Sequence, residues 1–247
     1  MKSDEAMIRR TLGVMFDPGD VVEIRIPNAG RYGTVAGYFN DFEKLVKDAL
    51  RWSGAAPGVY ITMNPVRPAL LARASNRCRE WVKRTTADDE VARRNWFLID
   101  FDARRPTGIS STESEHDVAI AVARECQEWL SSLGWPEGIL ADSGNGSHLL
   151  YKVNLPNTVR TASGLAEGLT ALRWQFDDNY VSVDPTVYNA ARIIRLYGTL
   201  TAKGDSTEER PHRISRLLSI PEHIKAVDPA LLKELASMSP TKEATIR

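Results

Sequence analysis

Short segments in which apolar and polar residues alternate are spread along this chain, and they predict β-strands. The most apolar of these segments begins at Trp96 with four large apolar residues and ends in an Asp-Phe-Asp sequence. Its content of β-forming residues predicts a buried strand. Because strand side chains alternate between two faces, we expect Asp100 and Asp102 to leave the sheet on the same face.

Segments with helical periodicity separate the strands, so the chain is predicted to mix strands and helices. Helices are expected over 4–16, 41–52, 68–74, 112–133, 159–176 and 229–238, and strands over 21–26, 37–39, 59–64, 96–102, 139–142, 147–153 and 180–184. We expect Asn40 to cap the second helix, and Thr112 to open the fourth through a capping box with Glu115. The periodicity of that fourth helix predicts a buried side formed by Val118, Val122, Cys126, Trp129 and Leu133.

The composition is that of a globular protein with one large domain or two small ones, since the chain has 247 residues of which 43% are hydrophobic. Lys and Arg together number 32, as do Asp and Glu, so binding to nucleic acid would depend on local patches. The N-terminus is charged and no run approaches the roughly 18 apolar residues of a membrane span, which predicts a cytoplasmic protein. Cys78 and Cys126 stand too far apart to suggest a disulfide framework or a structural zinc site.

One local patch is visible between residues 67 and 105, where ten basic residues face six acidic ones. Such a segment is typical of a track for nucleic acid, and it is equally typical of a solvated helical face. The sequence leaves both interpretations open.

The aspartate pair is the first candidate for chemistry. Two carboxylates on one face repel each other by up to ~4 kcal/mol at an effective dielectric constant near 20, unless a cation lies between them. Hard divalent cations favour such pairs, which makes Asp100 and Asp102 candidate metal ligands. The alternative is that one aspartate caps the turn that follows and the other is solvated.

Further candidates follow along the chain. His148 comes directly after a glycine-rich hairpin turn at 143–146, whose backbone amides could form a nest for an anion. Asp184 ends another apolar strand. Cations of the kind that bind phosphate come shortly after it, namely Arg192, Arg195, Lys203, Arg210 and His212.

Together these motifs resemble the archaeo-eukaryotic primase superfamily, and in particular its primase-polymerase branch. The resemblance rests on three signatures in the correct order: an Asp-x-Asp strand (Asp100, Asp102), a small-x-His strand (Gly146, Ser147, His148) and an apolar-Asp strand (Val183, Asp184). It covers roughly residues 21–221, and the turn at 143–146 is typical of plasmid, phage and CRISPR-associated members. One departure is Gly146, because some relatives have serine there and use its hydroxyl group.

The resemblance implies an α+β fold, with an RRM-like antiparallel palm and a smaller N-terminal α/β unit in one catalytic core. The core would span residues 1–220, with the N-terminal unit at about 1–90 and the palm at about 91–220. Residues 221–247 would form a C-terminal helix and a disordered tail.

The implied activity is that of a template-dependent DNA primase-polymerase, which transfers nucleotides from nucleoside triphosphates to a 3′-hydroxyl group. Asp100, Asp102 and Asp184 would be catalytic and would hold two divalent metal ions, Mg²⁺ or Mn²⁺. The nucleotide would be bound by Ser143, Gly146, Ser147, His148, Arg192, Arg195, Lys203, Arg210 and His212. Because Arg192 and Arg195 have opposite strand parity, we expect one to meet the triphosphate and the other to brace the carboxylates.

The partners implied by the resemblance are a single-stranded DNA template, a primer strand, nucleoside triphosphates, and a helicase or further domain of a replication or CRISPR system. The setting would be the cytoplasm of a bacterium, in a plasmid or phage context, without a membrane.

Two other functions remain open. One is a replication initiator or nuclease on an RRM-like palm, although none of the four histidines forms the His-x-His pair of the nicking class. The other is a catalytically inert module that binds nucleotide or nucleic acid.

Overall fold

The computed structural model describes residues 2–240, which form five α-helices and twelve β-strands. The helices are α1 (Glu5–Met15), α2 (Phe42–Trp52), α3 (Glu113–Ser132), α4 (Val159–Phe176) and α5 (Pro229–Ser237). The strands are β1 (Val22–Ile26), β2 (Val35–Phe39), β3 (Tyr60–Thr62), β4 (Cys78–Arg79), β5 (Arg94–Ala103), β6 (Ile139–Asp142), β7 (Gly146–Leu155), β8 (Val181–Val183), β9 (Ile193–Arg195), β10 (Leu200–Thr201), β11 (Arg213–Ile214) and β12 (Arg216–Ser219).

The first sheet has the strand order β4-β2-β1-β3-β9 and is antiparallel between every pair of neighbours. Helix α2 packs against β1 and β2, and α1 packs against α2. The last strand in this order comes from late in the chain: β9 pairs with β3 through Tyr60 and Arg195. This crossover brings a cationic segment beside the N-terminal strands.

The second sheet has the order β12-β6-β7-β5-β8 and is also antiparallel throughout. Helix α3 packs against β5, β6, β7 and β8, while α4 contacts β8 and α5. Buried residues of both sheets, from Ile24 in β1 to Phe97 in β5, belong to a single hydrophobic core. The two sheets are therefore parts of one packed body.

The predicted α+β class with an antiparallel palm is confirmed, and the predicted elements are present with ends displaced by a few residues. The segment at 68–73 is a 3₁₀-helix. Asp41, not Asn40, caps α2, since its carboxylate accepts from the amide of Lys44 at 3.2 Å. The tail expected to be disordered lies, from residue 241 onward, outside the described residues.

The predicted buried side of α3 is confirmed at Cys126, which is fully buried, and Val122, Trp129 and Leu133 are partly buried against the core. The prediction is wrong at Val118, which is 37% exposed. The other buried residues of the helix are His116, Ala119, Ala123 and Leu130. Small residues occupy much of the contact because α3 packs directly on the sheet, and larger side chains such as Trp129 pack at its flanks. No helix among residues 2–240 has the length and apolar character needed to cross a bilayer.

Candidate active site

Three neighbouring strands place two aspartates and a histidine in one row. Asp100 on β5 lies directly opposite His148 on β7. On the other side of β5, the amide of Asp184 donates to the carbonyl oxygen of Asp100 at 3.0 Å, just after β8 ends. Directly opposed residues on antiparallel strands project to the same face. Asp100, His148 and Asp184 therefore share one face of the second sheet.

A cavity of about 320 Å³ lies over this face, between the two sheets. The second sheet and its turn contribute Leu98, Asp100, Asp102, Ser143, Asn145 and His148. The first sheet and the segments that flank its strands contribute Pro27, Tyr60, Arg192, Ile193, Ile194 and Arg195, and Lys203 completes the lining. Asp184, Gly146 and Ser147 are not among the lining residues. The structure thus brings two predicted aspartates together with four predicted cationic or imidazole groups.

The two cavity aspartates differ in their electrostatics. Burial raises the pKa of Asp102, and the neighbouring charge of Asp100 raises it further. Burial acts in the same direction on Asp100, but His148, Arg192 and Lys203 together outweigh it and lower its pKa. Asp100 is therefore the carboxylate that the protein keeps ionised, and a cation beside Asp102 would relieve the repulsion between the pair.

Arg105 is a site residue that the sequence analysis did not identify. Its Nη1 lies 3.5 Å from Oδ1 of Asp102, although only 7% of its side chain is exposed. The guanidinium is held by the carbonyl oxygens of Ala103 and Ile109. A run of two arginines after a strand is not specific enough to predict which one turns back to the carboxylate.

The two predicted arginines reach the same cavity by different routes. Arg195 is buried, and its Nη2 donates to the hydroxyl oxygen of Tyr60 at 2.9 Å while its guanidinium lies 4.3 Å from that ring's centroid. Arg192 precedes β9, so strand parity does not govern it, and its Nη2 donates to the carbonyl oxygen of Thr186 at 2.7 Å. In both residues a buried nitrogen has no partner among the described residues: Nε of Arg192 and Nη1 of Arg195. Neither arginine hydrogen-bonds an aspartate.

Lys203 completes the cationic side of the cavity. Burial lowers the pKa of Lys203, and the charge of Asp102 opposes that shift. Burial likewise lowers the pKa of Arg195. These cations are held in a poorly solvated place, where an anionic ligand would interact strongly with them.

The hairpin turn before β7 is less available to a ligand than the sequence suggested. The amide of Ser143 donates to the carbonyl oxygen of Gly146 at 3.0 Å, and the amide of Gly144 donates to the carboxylate of Asp142 at 2.7 Å. The hydroxyl of Ser147 is buried and donates to the carbonyl oxygen of Ala141. Two of the turn's amides and one of its hydroxyls are therefore already used.

Asn145 is a second cavity residue that the sequence analysis missed. Its Oδ1 accepts from the backbone amide of Ser111 at 2.9 Å, and its Nδ2 has no partner among the described residues although the side chain is buried. A backbone amide can only donate, so this contact determines which side of the carboxamide is oxygen. Asn145 lines the cavity, and its unpaired amide nitrogen is a buried donor beside it. The sequence at 143–146 predicts a hairpin turn, and that prediction explains Asn145 as a turn residue without any role in binding.

Arg210 and His212 are placed away from the cavity. The guanidinium of Arg210 pairs with the carboxylate of Glu115 at 2.8 and 3.1 Å and also donates to the carbonyl oxygen of Ser110. The Nε2 of His212 lies 2.9 Å from the carbonyl oxygen of Gly204. Both residues follow the loop after β10, which folds back over the start of α3. The structure does not bring them to the nucleotide-sized space.

The aspartates suit a hard cation in their donor atoms. Carboxylate oxygens are the ligands that Mg²⁺ and Mn²⁺ prefer, and the crowded charges of Asp100 and Asp102 favour a cation. Asp184 has one oxygen occupied, since Oδ1 accepts from the amide and hydroxyl of Thr186. Within residues 2–240, the group of three potential ligands whose atoms lie within 4.8 Å of one another is instead Glu113, His116 and Asp117.

Comparison with solved structures gives the fold a relative. The AEP domain of the primase-polymerase of cyanophage S-2L aligns over 97% of this chain and 100% of that domain, with 14% identity and a TM-score of 0.56. A primase named RepB′ aligns over 94% of this chain and 62% of its own, with 16% identity and a TM-score of 0.49. The polymerase domain of Mycobacterium tuberculosis Ligase D, solved in complex with DNA, aligns over 81% and 78%, with 15% identity and a TM-score of 0.43.

The first of these similarities establishes the fold of the chain: it is the fold of the AEP domain of that primase-polymerase, in agreement with the fold expected from the sequence resemblance. No protein-family model matches the sequence, and no curated protein matches it.

Proposed function

We propose that this chain, which has the fold of an archaeo-eukaryotic primase domain, is a template-dependent DNA primase-polymerase. The observation that carries the proposal is the cavity itself, in which Asp100 and Asp102 face His148, Arg192, Arg195 and Lys203. One wall offers carboxylate oxygens to a cation, and the other offers donors to an anion. A nucleoside triphosphate with its divalent ion has both partners.

In the proposed reaction the 3′-oxygen of the primer forms a bond to the α-phosphorus, and the bond to the leaving pyrophosphate breaks. Asp100, Asp102 and Asp184 would hold two divalent ions, which when bound would lower the pKa of the 3′-hydroxyl and neutralise phosphate charge. The hydroxyl proton passes to solvent water as the bond forms, and the residues of this chain supply position and charge, so that no side-chain base is needed.

The cationic wall would bind the triphosphate. Arg192 and Arg195 both line the cavity, and a guanidinium group carries donors only, so a ligand with acceptor oxygens suits this wall. Phosphate oxygens supply those acceptors, and the same cations would stabilise the charge that develops on the leaving pyrophosphate. We propose the same phosphate-binding role for His148 and Lys203. Ser143, Gly146 and Ser147 remain proposed through their position in the turn, with Ser143 the one that lines the cavity.

The proposal is tested by primer synthesis and primer extension on single-stranded DNA with Mg²⁺ or Mn²⁺ and each type of nucleotide separately. Asp100→Asn and Asp102→Asn are each expected to abolish synthesis. Asp102→Asn should leave the thermal unfolding midpoint unchanged or higher, because it removes a repelled charge, whereas Asp100→Asn should lower it, because the attraction of His148, Arg192 and Lys203 to the carboxylate is lost. The matched control is Asp117→Asn, the same change in the acidic cluster of α3, which is expected to retain synthesis.

Two results would contradict the proposal. One is the absence of any new strand from the unaltered chain under all of these conditions. The other is normal synthesis by the Asp100 variant, which would remove the aspartates from the reaction. Calorimetric titration with nucleoside triphosphate, with and without Mn²⁺, distinguishes a primase-polymerase from a catalytically inert binding module. The affinity of an inert module would depend little on Mn²⁺.

A further inference from the structure

A tryptophan stands exposed at the far edge of the first sheet. Trp81 follows β4, the edge strand of that sheet, and 65% of its surface is accessible to solvent. A large aromatic side chain with this exposure loses the hydrophobic stabilisation that burial would give it. A partner that covers the ring would account for this exposure.

The backbone holds this indole in place. Trp81 has a φ of +57°, a left-handed conformation that is rare for a bulky residue. Its amide donates to the carbonyl oxygen of Tyr32 at 3.0 Å, and the next amide, of Val82, donates to that of Thr34 at 2.9 Å. The ring lies against Gly33, where an added Cβ would stand 2.6 Å from the indole Cε3. One side of the indole is thus supported by backbone, and the exposed remainder faces solvent.

Cations stand near Trp81 in the chain and beside Tyr32, which the Trp81 amide contacts. Arg79 and Lys83 stand two residues before and after Trp81, and Arg31 precedes the tyrosine whose carbonyl accepts from the Trp81 amide. All three are exposed, and the one acidic residue between Arg79 and Lys83 is Glu80. We call these four residues, Trp81 with Arg31, Arg79 and Lys83, the Trp81 patch.

We infer that the Trp81 patch binds single-stranded nucleic acid, with a base stacked on the indole and phosphates beside the three cations. A rigid exposed aromatic ring among cations is the combination that binds single strands without regard to sequence. The three cations outnumber the single acidic residue, Glu80, so the patch disfavours a basic partner and favours a polyanion. Only Arg79 and Lys83 of the basic segment at 67–105 belong to the patch, since other basic residues of that segment pair with carboxylates, among them Arg73 and Arg84 with Glu90.

The other exposed tryptophan shows that exposure alone does not make such a site. Trp174 on α4 is 63% exposed, but the neighbouring Arg173 is paired with Asp177 at 3.2 Å. Its neighbouring cation is thus held in an ion pair, whereas Arg79 and Lys83 of the Trp81 patch form no ion pair within residues 2–240, so Trp174 serves as a matched control.

The biological role of the patch rests on the proposed function: the single-stranded template of the primase-polymerase would lie on the Trp81 patch. The patch is at β4, and the same sheet lines the cavity with Pro27 after β1, Tyr60 on β3 and Arg195 on β9, two to four strand positions away. At about 4.8 Å per strand spacing the patch and the cavity lining are roughly 10 to 19 Å apart across the sheet. Single-stranded DNA bound at the patch would therefore lie away from the reacting nucleotide. Substitutions in the patch should change the affinity for DNA and leave the affinity for nucleotide unchanged.

The test is fluorescence anisotropy of a labelled 30-nucleotide oligo(dT) with the full chain at two salt concentrations. Trp81→Ala is expected to weaken binding about tenfold, Trp81→Phe to retain most of it, and Trp174→Ala to leave it unchanged. Arg79→Ala is expected to lower the slope of log affinity against log salt by about 0.7. Trp81→Gly, which suits the positive φ, repeats the alanine test in a backbone without strain.

Equal affinity of the unaltered chain, Trp81→Ala and Trp81→Gly would overturn the inference, as would an equal loss in Trp174→Ala. The failure of the proposed function gives a different pattern: no synthesis by the unaltered chain, with the Trp81 variants still weaker in binding oligo(dT). Synthesis by the unaltered chain together with undiminished DNA binding by the Trp81 variants would contradict the patch alone.

Discussion

The hydroxyl oxygen of Tyr197 lies 2.7 Å from Nδ1 of His148, while Nε2 of the same imidazole lies 3.4 Å from Oδ1 of Asp100. Burial raises the pKa of Tyr197 well above its usual value, so the hydroxyl keeps its proton. Because the ionised carboxylate only accepts, Nε2 of His148 carries the proton that faces Asp100, and Nδ1 pairs with the tyrosine hydroxyl. Tyr197 therefore orients the imidazole in the cavity.

Tyr197→Phe tests this orientation. The change leaves a buried imidazole nitrogen unpaired, and we expect a loss of about 1–2 kcal/mol in the free energy of unfolding. With His148 free to turn, the specificity constant for nucleotide in primer extension should fall about tenfold, mainly through KM. Tyr180→Phe is the control, since Tyr180 is 70% exposed, and it should change neither quantity. Unaltered kinetics in Tyr197→Phe would show that the imidazole needs no such support.

Asn145→Asp tests the unpaired amide in the cavity wall. The new carboxylate can still accept from the amide of Ser111, so the unfolding midpoint should move by only a few degrees. It cannot donate to a ligand and adds a negative charge beside the proposed phosphates, so nucleotide affinity should fall at least tenfold. Asn40→Asp makes the same change on the surface and should have no effect, as measured by calorimetric titration. Unchanged affinity in the Asn145 variant would place its amide outside the binding site.

Gly146→Ser tests why this chain departs from relatives with serine at that position. A Cβ at Gly146 would stand 2.2 Å from the carbonyl oxygen of Phe101, a backbone atom that cannot move without opening the pairing of β5 and β7. We expect a loss of about 2–4 kcal/mol in the free energy of unfolding by urea. Gly164→Ala, in α4 with open space around it, is expected to be neutral or stabilising by up to about 1 kcal/mol. A stable serine variant would mean that the hairpin tolerates a different path.

The ionisation of Glu90 is expected to make the free energy of unfolding depend on pH. Hydrogen bonds from Arg73 lead the causes that lower the pKa of Glu90 from 4.5 to about 2, with the amide of Ala87 and the charge of Arg84 adding to them. The folded state therefore binds fewer protons than the unfolded state between pH 4.5 and 2, and stability rises with pH through that window. The contribution is fully present above pH 4.5 and is lost as pH falls towards 2.

Glu90→Gln is expected to cost about 2 kcal/mol in the free energy of unfolding at pH 7, since the buried carboxylate serves two arginines. The difference from the unaltered chain should shrink as the pH is lowered to 3 and below, in denaturant titrations at each pH. Glu43→Gln removes an exposed pairing with Arg9 and should cost at most about 0.5 kcal/mol. A difference that stays constant with pH would exclude the ionised form of Glu90 as its source.

The sequence by itself determined the local geometry of the candidate site. Asp100 and Asp102 share a face because strand side chains alternate with a period of two, whatever the rest of the fold does. The same rule predicted the strand before Asp184 and the hairpin that delivers His148. These features depend on neighbours in the chain, and short-range backbone geometry is sufficient to predict them.

Only the tertiary structure decided which distant segments meet. It brings β9 to β3, and so Arg195 to Tyr60, while it pairs Arg210 with Glu115 at a distance from the cavity. The exposure of Trp81 could not be predicted from the sequence either, because a large apolar residue is expected to be buried. These outcomes depend on strand pairing and burial between segments far apart in the chain, and local periodicity contains no information about which of the possible partners each segment will contact.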